Sequence, residues 1–172
     1  VEMGSTDMSG IIAISNVIPP MGAMTSLNIS HNKLTKGKLK PEPGYVSFDE
    51  RPWGSKDQHY ESDIVGVIAL ANGIKNNGAL VKFDVSKNNL RKEGTKALAE
   101  ALNGNQIMAE LNLAENSMGK NGAMDIAKTI PTMRALVKLN MAANALLTKQ
   151  AGKVLADMLK TISGLKELDV SN

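Results

Sequence analysis

The chain has no cysteine among its 172 residues, which excludes disulfides and thiolate metal sites and fits a reducing, cytoplasmic setting. Aromatics make up only 3%, so a core has to be built from Leu, Ile, Val, Ala and the ten methionines. The two histidines, His31 and His59, stand in no metal-binding spacing. No apolar run is long enough to span a membrane, and the opening Val1-Glu2-Met3-Gly4-Ser5-Thr6-Asp7 lacks the basic and apolar regions of a signal peptide. Neither sign of charge dominates: the formal net charge is +3, from 17 lysines and 3 arginines spread along the chain and 17 acidic residues. Nucleic-acid binding asks for a concentrated basic stripe with stacking aromatics. The nearest approach, Lys33, Lys36, Lys38 and Lys40, reads as a solvated loop on the rim. The partners expected are therefore neither nucleic acid nor membrane, and no cofactor is expected.

Catalytic signatures are missing as well. No G-x-S-x-G, H-E-x-x-H or dinucleotide fingerprint occurs. Gly119-Lys120-Asn121-Gly122 glances at a phosphate loop but lacks the full G-x-x-x-x-G-K-[ST] pattern. Asn28-Ile29-Ser30 matches a glycosylation sequon, yet it falls in an expected strand with no secretory signal before it. These readings point away from an enzyme.

What is present is a repeat. Met24-x-x-Leu27-x-Ile29-x-x-Asn32-x-Leu34 returns as Leu80-x-x-Phe83-x-Val85-x-x-Asn88-x-Leu90. It returns again as Met108-x-x-Leu111-x-Leu113-x-x-Asn116-x-Met118 and as Leu136-x-x-Leu139-x-Met141-x-x-Asn144-x-Leu146, and a fifth copy opens with Leu165-x-x-Leu168-x-Val170. The starts at Met24, Leu80, Met108, Leu136 and Leu165 are evenly spaced, except that the first interval is doubled. Between copies, Gly10, Gly66, Gly94 and Gly122 each stand at one fixed distance before a start, and Gly152 stands one position nearer the last. Apolar pairs follow at i, i+4: Ile14 and Ile18, Leu70 and Ile74, Leu98 and Leu102, Ile126 and Ile130, Leu155 and Leu159. That spacing is one face of a helix. The small residues Ser15, Ala71, Ala99, Ala127 and Ala156 inside these pairs would let helix and sheet approach closely.

Each unit is thus a short strand, a turn and a helix. A single unit cannot bury its apolar face, so identical units stack with parallel strands. Helices are wider than strands, so the stack curves with the sheet lining the inside. The pattern resembles the ribonuclease-inhibitor-like class of leucine-rich repeats. That resemblance covers nearly the whole chain outside residues 35 to 62. It implies an α/β fold, a leucine-rich-repeat solenoid (horseshoe) with a parallel concave sheet and convex helices, in a single domain over residues 1–172. Some members of the class carry cysteine near the asparagine position, and this chain has none.

The repeated Asn32, Asn88, Asn116 and Asn144 are expected to form a buried ladder serving backbone groups where each strand turns away. The strand positions that alternate with the inward Leu and Val face outward. The candidate partner-binding residues are Ser26, Asn28, Lys82, Asp84, Glu110, Asn112, Lys138 and Asn140 on that face. Along one row the charges alternate, Lys82, Glu110, Lys138, Glu167, and strands about 4.8 Å apart let them pair laterally. A second row is Asn28, Asp84, Asn112, Asn140 and Asp169, which either binds a partner or serves as soluble surface.

The doubled gap holds one extra period with a different composition. Residues 35–62 contain Tyr45, Phe48, Trp53 and Tyr60, four of the five aromatics, and half of the prolines. We read them as an insertion leaving the strand end and returning to the helix near Ser62. Tyr45-Val46-Ser47-Phe48 is an expected strand and Asp49-Glu50-Arg51-Pro52 a turn. Its aromatics form a small core or clamp, or else Tyr45, Trp53 and Tyr60 are partner-binding anchors.

The chain starts just before a helix and stops within a strand motif, one residue short of the next ladder asparagine. This predicts uncapped ends that continue into a longer repeat protein or self-associate. The expected function is a scaffold for protein–protein interaction. The resemblance also implies two alternatives, a regulator that stimulates small GTPases, which would need a contact residue such as Arg51, Arg91 or Arg134, and a fragment of an innate-immune sensor or effector.

Overall fold

The computed structural model describes residues 8–39, 60–144 and 149–171. Five short strands form one parallel sheet: β1 (Ser26–Asn28), β4 (Lys82–Asp84), β5 (Glu110–Asn112), β6 (Lys138–Asn140) and β7 (Glu167–Asp169), in the order β1-β4-β5-β6-β7. The register follows the repeat: Leu27, Phe83, Leu111, Leu139 and Leu168 stand side by side across the sheet. Two further strands, β2 (Lys36–Leu39) and β3 (Tyr60–Asp63), form a separate antiparallel pair between β1 and the next helix.

Helices α1 (Ser9–Val17), α2 (Val65–Lys75), α3 (Arg91–Leu102), α4 (Gly119–Thr129) and α5 (Lys149–Thr161) each return the chain to the next strand. Their i, i+4 stripes meet the middle residues of the strands and the residues just beyond them, Ile29, Val85, Leu113 and Met141, in one core. Leu70, Ile74, Leu98, Leu102, Ile126 and Ile130 are all sealed from solvent. The helix-stripe expectation departs at the two ends. Ile14 in α1 is 47% exposed and Leu159 in α5 is 44% exposed, and Ala156 is also exposed. Among the described elements these helices have a helical neighbour on one side only.

The recurring glycines are explained by close contacts, with a neighbouring helix or with the start of their own, at some positions and not at others. A Cβ on Gly66 would lie 2.8 Å from Ile11 Cγ2, and one on Gly122 would lie 2.8 Å from Met118 Cβ and 3.2 Å from Thr95. Gly10 and Gly152 have open space there.

The loop after each strand is tight. It runs through left-handed backbone at equivalent residues, Lys87, Glu115 and Ala143, with φ of 59°, 54° and 52°. Non-glycine residues adopt this conformation only when their surroundings enforce it. The asparagine ladder supplies that enforcement. The backbone N–H of Asn32 donates to Asn88 Oδ1 at 2.8 Å, that of Asn88 to Asn116 Oδ1 at 3.0 Å, and that of Asn116 to Asn144 Oδ1 at 2.9 Å. Each interior amide also donates back across the stack, Asn88 Nδ2 to Ile29 O at 2.8 Å and Asn116 Nδ2 to Val85 O at 3.0 Å. Asn88, Asn116 and Asn144 are buried as the sequence implied, whereas Asn32, first of the row, is exposed.

A second repeat device lies outside the sequence motif. Asn77 and Asn105, one repeat apart, close the turns from helix to strand. Asn77 Oδ1 accepts the N–H groups of Ala79 and Leu80, both at 2.9 Å, and Asn105 Oδ1 accepts those of Ile107 and Met108 at 3.0 and 2.8 Å.

The lysine-rich stretch read as a loop is partly a strand, because Lys36 and Lys38 lie in β2 opposite Asp63 and Glu61 of β3. Its Lys-Gly-Lys-Leu sequence has no apolar alternation, so only the distant pairing partner defines it. The strand expected over 45–48 and the turn over 49–52 lie outside the described residues.

Candidate functional site

The helices cover one face of the five-stranded sheet, and the other face is open among the described residues. That open face forms a groove of about 770 Å³ running across all five strands. Period-2 alternation places its side chains: the middle residue of each strand turns into the core, and its two neighbours turn out. Ser26, Asn28, Lys82, Asp84, Glu110, Asn112, Lys138 and Asn140 all line this one groove, joined by Lys166, Glu167 and Asp169. Tyr45 and Trp53 lie outside the described residues, and Tyr60, the first residue of β3, is described only in its backbone. Two positions next to the strands depart from the outward pattern, since Ser86 and Ala114 are buried where the loop folds back.

The charged row pairs laterally. Lys82 Nζ lies 2.9 Å from Glu110 Oε1, and Lys138 Nζ lies 2.8 Å from Glu167 Oε1. The hydrogen bond to Glu167, and then its charge, hold the Lys138 ammonium above the ordinary lysine range, with Glu110 adding a smaller effect of the same sign. Just beyond the strands, Lys87 and Glu115 repeat the arrangement at 3.1 Å. Each cation of the row therefore sits beside an anion, and the face presents alternating charge rather than a field of one sign.

The Asn/Asp row has a local task that spacing alone did not reveal. Each member accepts the backbone N–H two residues on. Asn28 Oδ1 takes that of Ser30 at 2.9 Å, Asp84 that of Ser86 at 2.9 Å, and Asn112 that of Ala114 at 3.1 Å. Asn140 takes that of Ala142 and Asp169 that of Ser171, both at 2.9 Å. These are Asx turns, and they start the tight loop after every strand. The backbone bond from Ser171 is the main reason the Asp169 carboxyl lies below the usual carboxylate range. Asp84 uses its second oxygen as well, accepting Asn112 Nδ2 at 3.0 Å. The legible signal was Asn or Asp followed two residues later by Ser or Ala at each strand end.

Among the described residues, no group of three or more His, Asp or Glu side chains is arranged to hold a metal ion, and no helix is long and apolar enough to cross a membrane.

No family model matches the chain, and no curated protein matches it. Solved structures do. The actin-binding site 2 of leiomodin-1 superposes with a TM-score of 0.68 at 14% identity, covering 98% of this chain and 82% of that one. The tropomodulin C-terminal domain of Caenorhabditis elegans gives the same TM-score of 0.68 at 14% identity, covering 97% of this chain and 84% of that one. At that identity the likeness concerns fold. The chain has an α/β fold of the leucine-rich-repeat kind, with a parallel sheet, shared with the leiomodin and tropomodulin domains.

Proposed function

We propose that the chain is a non-enzymatic protein-interaction module, a single ribonuclease-inhibitor-like horseshoe over residues 1–172. It binds a protein partner on the concave sheet face, together with the insertion over residues 35–62, in the cytoplasm. The observation that carries this reading is the uncovered sheet face, a groove crossing five strands with its charges already arranged. Lys82 faces Glu110 and Lys138 faces Glu167, so a polyanion meets as much repulsion as attraction there. A protein surface of mixed charge can match the alternation pair by pair. The same fold serves as an actin-binding site in leiomodin-1, which makes actin the first partner to try. At 14% identity no contact residue transfers from that protein.

The experiment is co-sedimentation with filamentous actin, alongside affinity capture from cell extract. Wild type is compared with Lys138→Glu on the face and Lys96→Ala on the outer side of α3. A partner held by wild type and by Lys96→Ala, and released by Lys138→Glu, supports the reading. Equal retention by all three chains would move the binding surface elsewhere.

A further inference from the structure

The charged row of the sheet face carries a spacing as well as a sign, and the spacing selects the shape of a partner. Lys82, Glu110, Lys138 and Glu167 are register neighbours in β4, β5, β6 and β7. Neighbouring strands stand about 4.8 Å apart, so the four charges fall at about 0, 4.8, 9.6 and 14.4 Å along a line crossing the strands. Their sign changes at every step. Lys82, Lys138 and Glu167 are exposed and Glu110 is half-buried, and all four line the groove. The parallel Asn/Asp row spends a side-chain oxygen of each member on the loop that follows its strand. The charged row is the one left to read a partner.

Two regular backbones could lie across the strands. An extended segment turns every second side chain to the same side, about 6.8 Å apart, and is out of step by about 6 Å at the fourth charge. An α-helix rises about 1.5 Å per residue, so residues i, i+3, i+7 and i+10 of one face stand at about 0, 4.5, 10.5 and 15 Å. They stay within about 1 Å of the strand charges throughout.

We propose that the sheet face receives one α-helix of a protein partner, lying across the strands, whose residues i, i+3, i+7 and i+10 are acid, base, acid and base against Lys82, Glu110, Lys138 and Glu167. This rests on the sheet-face reading above and adds the partner's shape and charge order. The lateral pairs Lys82–Glu110 and Lys138–Glu167 stay in place, because an ammonium has three donors and a carboxylate two oxygens. The row sets register and direction more than affinity, since each exposed pair contributes little. Binding should weaken as salt rises.

The probes are two stapled helical peptides of one composition, with alanine elsewhere, followed by fluorescence anisotropy. The alternating peptide carries Glu, Lys, Glu and Lys at the four facing positions, and the blocked peptide carries Glu, Glu, Lys and Lys. Wild type is expected to bind the alternating peptide about tenfold more tightly, because the blocked one sets two of its four charges against their like. Lys138→Glu leaves each peptide with three matches and one clash, so the preference should vanish. Glu110→Lys combined with Lys138→Glu should reverse it, with far-UV circular dichroism unchanged in both variants. Equal affinity of wild type for the two peptides, binding of neither, or a preference that survives Lys138→Glu overturns the proposal. So does equally tight binding of an extended peptide with the same charge order at every second residue. In each of these cases the sheet-face reading still stands if Lys138→Glu releases the partner captured from extract, and it falls only if that variant retains the partner.

Discussion

At the scale of single residues, each of the buried ladder asparagines Asn88, Asn116 and Asn144 serves several backbone groups at once. Asn116 has no exposed surface. Its Oδ1 accepts the N–H of Asn88 at 3.0 Å and of Leu90 at 3.4 Å, and its Nδ2 donates to Val85 O and Leu113 O, each at 3.0 Å. Replacing it with alanine strands several buried backbone groups at once, each costing about 1–3 kcal/mol. Asn116→Ala is therefore expected to destabilise the chain by about 3 kcal/mol or more in urea denaturation. Asn32→Ala, at the exposed end of the row, should cost about 1 kcal/mol. Equal losses for the two variants would mean the ladder does not hold the loops as described. The sequence disclosed these asparagines because their spacing is constant and buried amides must be satisfied. It disclosed the Asx row only as outward-facing residues. An Asn or Asp in a strand looks the same in sequence whether it meets solvent, a partner, or the N–H group two residues on.

At the scale of elements, strand register and helix faces were legible because each is fixed by a period, that of the pleat in the strands, of the turn in the helices and of the repeat in the stack. What spacing could not supply was which helices have a helical neighbour on both sides among the described elements; α1 and α5 have one, and Ile14 and Leu159 on them read as core and are exposed. Nor could it supply β2, whose lysines carry no apolar pattern and whose partner strand lies on the far side of the insertion. The recurring glycine shows how one sequence position acquires two physical meanings. At Gly122 a methyl group would meet Met118 Cβ at 2.8 Å and Thr95 at 3.2 Å, whereas at Gly152, inside α5, nothing lies within 4 Å. Gly122→Ala is expected to destabilise by about 1–3 kcal/mol through overpacking. Gly152→Ala should stabilise by about 0.5–1 kcal/mol, since alanine favours helix over glycine. Thermal unfolding of the two variants distinguishes a steric glycine from a merely repeated one, and a shift of the same sign in both would contradict the geometry.

At the scale of the whole molecule, the architecture ties stability to neighbours. The substantial contacts run between consecutive units, α1 with α2 through α4 with α5, and β1 with β4 through β6 with β7. Such a stack behaves as a nearest-neighbour chain in which interior units are stabilised from two sides and the outer ones from one. The exposure pattern agrees: Leu70, Leu98 and Ile126 are sealed, while Ile14 at the equivalent position of α1 is not. Native-state hydrogen exchange is therefore expected to be slowest for the amides of β4, β5 and β6 and of α3 and α4. It should quicken toward α1 on one side and α5 on the other. The ladder bonds supply the internal markers, because the N–H groups of Asn88 and Asn116 are enclosed whereas that of Asn32 lies in the first, exposed loop. If Asn32 exchanges as slowly as Asn116, the chain unfolds as one cooperative block. The open sheet face would then be held as rigidly at β1 as at β5, and a partner could draw on all five strands equally. If protection falls off as expected, the central strands, with Lys82, Glu110 and Lys138, form the preorganised part of the groove. An interaction surface loses least entropy where it is already ordered, so the largest effects of face substitutions on binding should then concentrate there.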